Sequence, residues 1–140
     1  MKYLLTGGAG YIGLHVALAI KNSGHDVLLA DNFSNSNIDN IKHIKNVLGI
    51  CLHVEVGDIR SKDFTDKLFK KYQIDAVVHL AGLKSIPESN LKPLQYFDNN
   101  ISGTINLLRS MKKYSIKKIV FSSSASVYGD PEYLPIDEFH

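Results

Sequence analysis

The stretch KYLLTGGAGYIG, residues 2–13, runs from a short apolar segment through a glycine turn into a helical period. It contains Gly8-x-Gly10-x-x-Gly13 and, overlapping it, Gly7-x-x-Gly10-x-x-Gly13. One glycine permits a tight turn, another removes a Cβ that would block a pyrophosphate, and the last lets helix and strand pack closely. The amides of Tyr11 and Ile12 would then point at phosphate, aided by the helix dipole. A ligand-free strand-to-helix turn is the competing reading. Against it, each glycine costs roughly 0.5–1 kcal/mol of conformational freedom, and a turn alone needs fewer of them.

Outward from this stretch, short apolar runs alternate with helix-length segments. KYLLT (2–6), DVLLAD (26–31), ICLHVEV (50–56), DAVVHLA (75–81) and KKIVFSS (117–123) read as strands. Helices are expected over 11–23, 38–48, 61–72 and, as one long element, 94–114. Ile12, Val16, Ala19 and Ile20 mark the apolar face of the first helix, and Ser61 is a plausible N-cap of the third. Leu94, Phe97, Ile101, Leu108 and Met111 mark one apolar stripe on the long helix, and residues 82–93, punctuated by Pro87 and Pro93, read as a loop. VLLA, AVVHLA and KIVF lack polar alternation and look buried on both faces. Buried strands alternating with helices give an α/β, doubly wound parallel sheet of the Rossmann type, with about five strands. Ligands of such sheets sit beyond the carboxyl ends of the strands, so the residues there should carry the chemistry.

Two carboxylates stand at those ends. Asp31 closes the second strand, eighteen residues past Gly13, where a carboxylate can accept bonds from the 2′ and 3′ hydroxyls of an adenosine ribose. It would repel a 2′-phosphate and so favours NAD over NADP. Charged hydrogen bonds of this kind are worth roughly 1.5–3 kcal/mol, a discrimination of about ten- to a hundredfold. Asp58 follows the third strand in VGDIR. It suits an adenine amino group, with Ile59 against the ring, or a cap on the next helix.

The bulk properties exclude several classes. A chain of 140 residues with 44% hydrophobic and 21% charged residues is one ordinary globular domain. A net charge of +2 is too small to imply nucleic acid. The single cysteine, Cys51, forbids an intrachain disulfide and reads as a small core residue. No signal peptide or membrane-spanning run is evident, which predicts a cytoplasmic protein with no membrane contact. The six histidines show no metal-ligand spacing, and no metal is expected. His79, inside a strand, reads as a satisfied core histidine.

TGGAGYIG, the Asn32 after Asp31, GDIR at 57–60, HLAGLK at 79–84, Asn99-Asn100 with GTINLL at 103–108, and FSSSASVYGD at 121–130 together resemble the extended short-chain dehydrogenase/reductases. Within that family the HLAGLK form is similar to the UDP-glucose 4-epimerases. The resemblance implies NAD held by Gly7, Gly10, Tyr11, Ile12, Gly13, Asp31, Asn32, Asn35, Ser36, Asp58 and Ile59 on the adenosine and pyrophosphate side. It implies Leu80, Ala81, Gly82, Lys84 and Asn99 along the remainder. Ser124 would bond the sugar hydroxyl being oxidised, while Ser122 and Ser123 read as strand-end packing. The implied activity interconverts UDP-glucose and UDP-galactose by transient hydride transfer to NAD. Related dehydratases and decarboxylases of nucleotide sugars, or a non-catalytic NAD-binding protein, are the alternatives. Two departures stand out: Ser85-Ile86-Pro87 replaces a common Ala-Val-Gly, and Leu14-His15-Val16 replaces Ser-His-Thr. The first bears on substrate geometry, the second on phosphate contacts.

The family's base is a tyrosine four residues before a lysine on one helix, after the serine strand. Tyr114 and Lys118 have that spacing but fall on a helix end and a strand start, before Ser124. Residues 1–140 therefore read as an incomplete NAD-binding domain without its substrate domain, inactive alone. An unpaired sheet edge and the family's helix-mediated pairing predict a homo-oligomer.

Overall fold

Leu4 and Leu5, Leu28 and Leu29, Val77 and Val78 point in alternation to opposite faces of one sheet, and all six are buried. The computed structural model describes residues 1–140. Its strands are β1 (Lys2–Thr6), β2 (Asp26–Asp31), β3 (His53–Val56), β4 (Ala76–His79) and β5 (Ile119–Phe121). All pair in parallel, in the order β3-β2-β1-β4-β5. Leu4 sits opposite both Leu28 and Val77, at the centre of the sheet.

Helices cover both faces. The first two are α1 (Tyr11–Asn22) and α2 (Ile38–Leu48), whose Leu14, Ala17, Ile41 and Ile44 pack on Leu5, Leu29 and Val78. On the other face lie α3 (Lys62–Lys71) and, later in the chain, α6 (Gly103–Lys113); their Leu68, Phe69, Leu107 and Met111 pack on Leu4, Leu28 and Val77. The expected cap of α3 is in place, Ser61 accepting from the Phe64 amide, and Asn37 caps α2 by accepting from the Asp39 amide. Gly49, in the left-handed conformation at φ +68°, ends α2.

Several expectations from the sequence need correcting. Residues 82–93 are not all loop. They include α4 (Ile86–Leu91), capped by Ser85, with Pro87 in the first turn, where a missing amide costs no helical bond. The expected long helix is α5 (Pro93–Phe97), a π turn (Asp98–Ser102) and then α6. Its supposed core stripe faces outward: Leu94, Phe97, Ile101 and Leu108 are exposed, and Met111 alone is buried. The packed face is instead Gly103, Asn106, Leu107, Ser110 and Met111. Hydropathy overlooks that face because its small and polar members are satisfied by neighbours. Ser110 bonds Thr65 at 3.0 Å, and Asn106 donates to the Arg60 carbonyl at 2.7 Å. In α1 the buried positions are Gly13, Leu14 and Ala17, whereas Ile12 and Ala19 face solvent. Cys51 is exposed, in the connection before β3, whereas its neighbour Leu52 turns into the core. The residues of KIVF are not buried on both faces: Ile119, Val120 and Phe121 are 38%, 64% and 55% exposed, since β5 pairs only with β4.

The turn from β1 to α1 fixes how closely the central strands approach. Gly7 has φ +68°, and a Cβ there would lie 2.7 Å from the Ala81 nitrogen. A Cβ on Gly13 would lie 2.5 Å from the Gly7 carbonyl oxygen. Gly10 differs: its φ is −71°, and its Cβ would meet only the Gly7 oxygen, at 3.4 Å. Gly7→Ala should therefore destabilise the fold by about 1–3 kcal/mol in urea unfolding. Gly10→Ala should stay within about 0.5 kcal/mol of the parent, as substitutions clear of such constraints do. Equal losses at the two positions would contradict this account of the turn.

At the sheet's other edge, Glu55 of β3 accepts from Lys71 Nζ at 2.6 Å and from the Tyr72 hydroxyl. The ammonium and the phenol hold its carboxyl at about 2, against an ordinary 4.5. A carboxyl depressed on folding adds stability that is complete above its unfolded pKa and is lost as pH falls toward the folded value. The stability advantage of the parent over Glu55→Gln should thus be full at neutral pH and shrink between about 4.5 and 2. Paired urea titrations across that range measure it, and an advantage independent of pH would refute the assignment.

Candidate functional site

The carboxyl ends of all five strands open into one groove of about 590 Å³, within the range of ligand pockets. It is centred where β1 and β4 neighbour each other while their chains lead to opposite sides, the switch point of a doubly wound sheet. The β1–α1 turn supplies Gly7, Gly10, Tyr11, Ile12 and Gly13; the segment after β2 supplies Asp31, Asn32, Ser34 and Asn35. Gly57 and Ile59 follow β3, Leu80 to Ser85 follow β4, and Ser122 follows β5. Glu88 of α4, Gln95 and Tyr96 of α5, and Asn99 of the π turn complete the wall.

Most residues singled out in the sequence converge here, but Ser36, Asp58 and Ser124 do not line the groove. Ser36 donates its hydroxyl to Asp31 Oδ1 at 3.0 Å. Asp58 is surrounded by donors: Asn32 Nδ2 at 2.9 Å, and the Arg60 amide, Nε and second guanidinium nitrogen at 2.8, 3.0 and 2.8 Å. The guanidinium above all holds its carboxyl at about 2. Asp58 does not cap α3, since Ser61 does that. Ser124 caps a short 3₁₀ turn (Ala125–Tyr128) by accepting from the Ser126 amide at 3.2 Å. The serine that reaches the groove is Ser122, 3.5 Å from Lys84 Nζ.

Sequence reading missed Ala30, Ser34, Gly57, Leu83, Ser85, Glu88, Gln95 and Tyr96, and gave Ser122 to strand-end packing. Glu88 and Tyr96 form a pair, the Tyr96 hydroxyl donating to Glu88 Oε2 at 2.9 Å. That bond, with Lys92, pulls the Glu88 carboxyl below its usual range. The eight-residue spacing between Glu88 and Tyr96 spans two helices and carries no motif, so only the fold could reveal it.

Asp31 serves the fold as well as the groove. It is only 7% exposed, accepts from the Ala9 amide through Oδ2 at 2.9 Å, and accepts from the Phe33 amide through Oδ1 at 2.9 Å. These bonds tie the glycine turn to the segment after β2. Opposite it, α1 starts at Gly10 with no side-chain cap and no acidic residue in its first turn. By contrast α2, α3 and α4 are capped by Asn37, Ser61 and Ser85. The free first-turn amides of α1 and its positive dipole end suit an anion. A Cβ on Gly10, or on Gly82, would meet no protein atom closer than 3.4 Å. Neither glycine is demanded by packing, and both keep backbone bare where a ligand would lie. A diphosphate against α1 with a ribose beside Asp31 fits these residues.

Tyr114 and Lys118 do not share a helix. Tyr114 is the C-cap of α6, and Lys118 lies in the connection to β5. No helix of the chain is long and apolar enough to cross a membrane.

Comparison with known proteins agrees with this geometry. A family model described as the NAD dependent epimerase/dehydratase family matches residues 3–140. A bifunctional UDP-glucose 4-epimerase and UDP-xylose 4-epimerase of Pisum sativum is 48% identical over 98% of this chain and 40% of its own length. The UDP-glucose 4-epimerase of Bacillus subtilis (strain 168) is 46% identical over 99% of this chain and 41% of its own. Among solved structures, UDP-glucose 4-epimerase from Bifidobacterium longum, in complex with NAD+ and UDP, superposes with a TM-score of 0.92 at 43% identity. That match covers 99% of this chain and 41% of the other. The chain thus spans about two fifths of the length of the relatives it matches. With its parallel sheet, glycine turn and groove, the chain belongs to the NAD-dependent epimerase/dehydratase family.

Proposed function

We propose that these 140 residues are the NAD-binding part of a UDP-hexose 4-epimerase that interconverts UDP-glucose and UDP-galactose. The observation that carries the reading is the uncapped, acid-free start of α1 at Gly10, facing the groove that Asp31 lines. The amides of Tyr11, Ile12 and Gly13 hold a diphosphate, and Asp31 accepts from a ribose hydroxyl on Oδ2, with the one lone pair its three protein bonds leave. Asn32, Asn35 and Ile59 flank the adenosine end; Leu80, Ala81, Gly82, Lys84 and Asn99 flank the other. Ser36 and Asp58 act behind this surface, by fixing Asp31 and Asn32. Bound NAD supplies a hydride acceptor and donor. Ser122 and Lys84, side by side in the groove, are polar groups that suit a sugar hydroxyl, and Ser124 acts as a turn cap.

No Tyr-x-x-x-Lys pair shares a helix after the serines within these 140 residues. On this reading they bind the cofactor and, alone, do not take the sugar's proton as hydride leaves. The same reading makes the protein cytoplasmic.

Calorimetric titration tests the binding reading. NAD should bind at least about tenfold more tightly than NADP, the equivalent of one charged hydrogen bond at Asp31. Gly10→Ala should weaken NAD binding while leaving stability intact. Equal affinities for the two dinucleotides would refute the role of Asp31, and turnover of UDP-galactose by this chain alone would refute the missing base.

The outward stripe of Leu91, Leu94, Phe97, Ile101 and Leu108 and the open edge of β5 support self-association. Light scattering should give a mass well above 15.6 kDa at high concentration, reduced by Leu94→Glu with Leu108→Glu. A monomer at every concentration would refute this.

A further inference from the structure

His79 is 1% exposed, at the last position of β4, and does not line the groove. Its ring nitrogens nevertheless join two elements that do. Nδ1 lies 2.6 Å from the hydroxyl of Thr6, the last residue of β1, and Nε2 lies 2.8 Å from the hydroxyl of Thr104 in α6. The direction of these bonds follows from the Thr104 hydroxyl, which is also 2.6 Å from the Asn100 carbonyl oxygen. A carbonyl cannot donate, so the single Thr104 proton goes to Asn100, and Thr104 must accept from His79. Nε2 therefore carries the imidazole proton. A bare Nδ1 then accepts from the Thr6 hydroxyl, which has no other side-chain partner. A cationic ring would leave that buried hydroxyl proton without an acceptor. Burial first, and the Lys84 charge second, lower the His79 pKa to about 4, in keeping with a neutral ring.

The relay ends on the backbone carbonyl of Asn100. Asn100 sits in the π turn, and its side chain grips Leu83: Oδ1 accepts from the Leu83 amide at 2.8 Å, and Nδ2 donates to the Leu83 carbonyl at 2.9 Å. The same Oδ1 accepts from Asn99 Nδ2 at 2.9 Å. Leu83 and Asn99 both line the groove.

We propose that His79 is a positioning residue: as the Nε2–H tautomer it carries one hydrogen-bond direction from Thr6 through Thr104 to Asn100, and so fixes the π turn and the 80–84 segment that wall the groove. Only its consequence for NAD affinity rests on the function proposed above.

The test uses the whole 140-residue chain. In ¹⁵N-histidine spectra of the parent at neutral pH, His79 should show a protonated Nε2 and a bare Nδ1; the opposite tautomer would overturn the relay. His79→Gln can still donate toward Thr104, whereas His79→Asn reaches only Thr6. Each leaves one hydroxyl unmet, so both should melt below the parent. Exchange of the Leu83 amide should accelerate about tenfold in His79→Asn and in Thr104→Val, as expected for one hydrogen bond, and little in His79→Gln. NAD affinity should follow the same order. Equal exchange in the Gln and Asn variants would reduce His79 to a packing residue and overturn the proposal. Failure of the parent chain to bind NAD would instead sink the reading of the groove, and the spectra and exchange rates would still decide the relay.

Discussion

Everything at the functional edge depends on how closely two backbones approach where β1 and β4 end. The Leu80 amide donates to the Thr6 carbonyl at 3.0 Å, so the strands stay paired to their last residues. One step beyond, Gly7 lies so near Ala81 that a Cβ would sit 2.7 Å from its nitrogen. From that point β1 turns into α1 on one face of the sheet and β4 leads to the segment that walls the groove. Bare backbone at Gly7 and Gly13 lets the start of α1 sit tight against the sheet. Its free amides consequently face the crevice, and a side chain at either position would push them away.

Much of this was legible in the sequence because it is written in local chemistry. The glycine spacing, the carboxylate ending β2 and the unbroken apolar runs of β1, β2 and β4 each report a nearby physical need. The parallel sheet with helices on both faces follows from them. Position in the sheet is not local, and there the sequence misled. IVF of β5 has the composition of a central strand but lies at an edge, and Cys51 has apolar neighbours but lies outside β3. The α5–α6 run misled for another reason. Its strongest hydropathic stripe faces outward, while its packed face uses Gly103 against Ile59 and the hydrogen-bonded Asn106 and Ser110. Hydropathy scores such residues as polar because it cannot see their neighbours.

The site shows the same division. Residues that touch the groove through backbone or by closing a strand, such as Gly10 and Asp31, could be found from spacing, and Leu80 from the family resemblance. Those that reach it through another side chain could not. Asp58 looks like a ligand residue after β3, yet its oxygens are taken by Arg60 and Asn32. Arg60 also reaches Asp98 at 3.1 Å, so this cluster links the end of β3 to the π turn just as the His79 relay links β1 to it. Two independent sets of bonds thus converge on the five residues Asp98–Ser102. A π turn is costly to hold, and it commonly persists where geometry at a site demands it.

Burial is unequal across the groove, and that inequality bears on which functions the chain supports by itself. The wall built from β1, β2 and β4 rests on side chains that are nearly all buried, including Leu4, Leu5, Leu29 and Val77 at 0% exposure. Its geometry is over-determined by the core and needs nothing further. The serines after β5 rest on a strand whose three residues are all exposed and which has a neighbour on one side only. Few contacts fix their hydroxyls, and local opening there costs little. The wall beside the glycine turn and Asp31 therefore belongs to the rigid part of the molecule. The wall at Ser122 belongs to the part whose shape depends on how Val120 and Phe121 are packed.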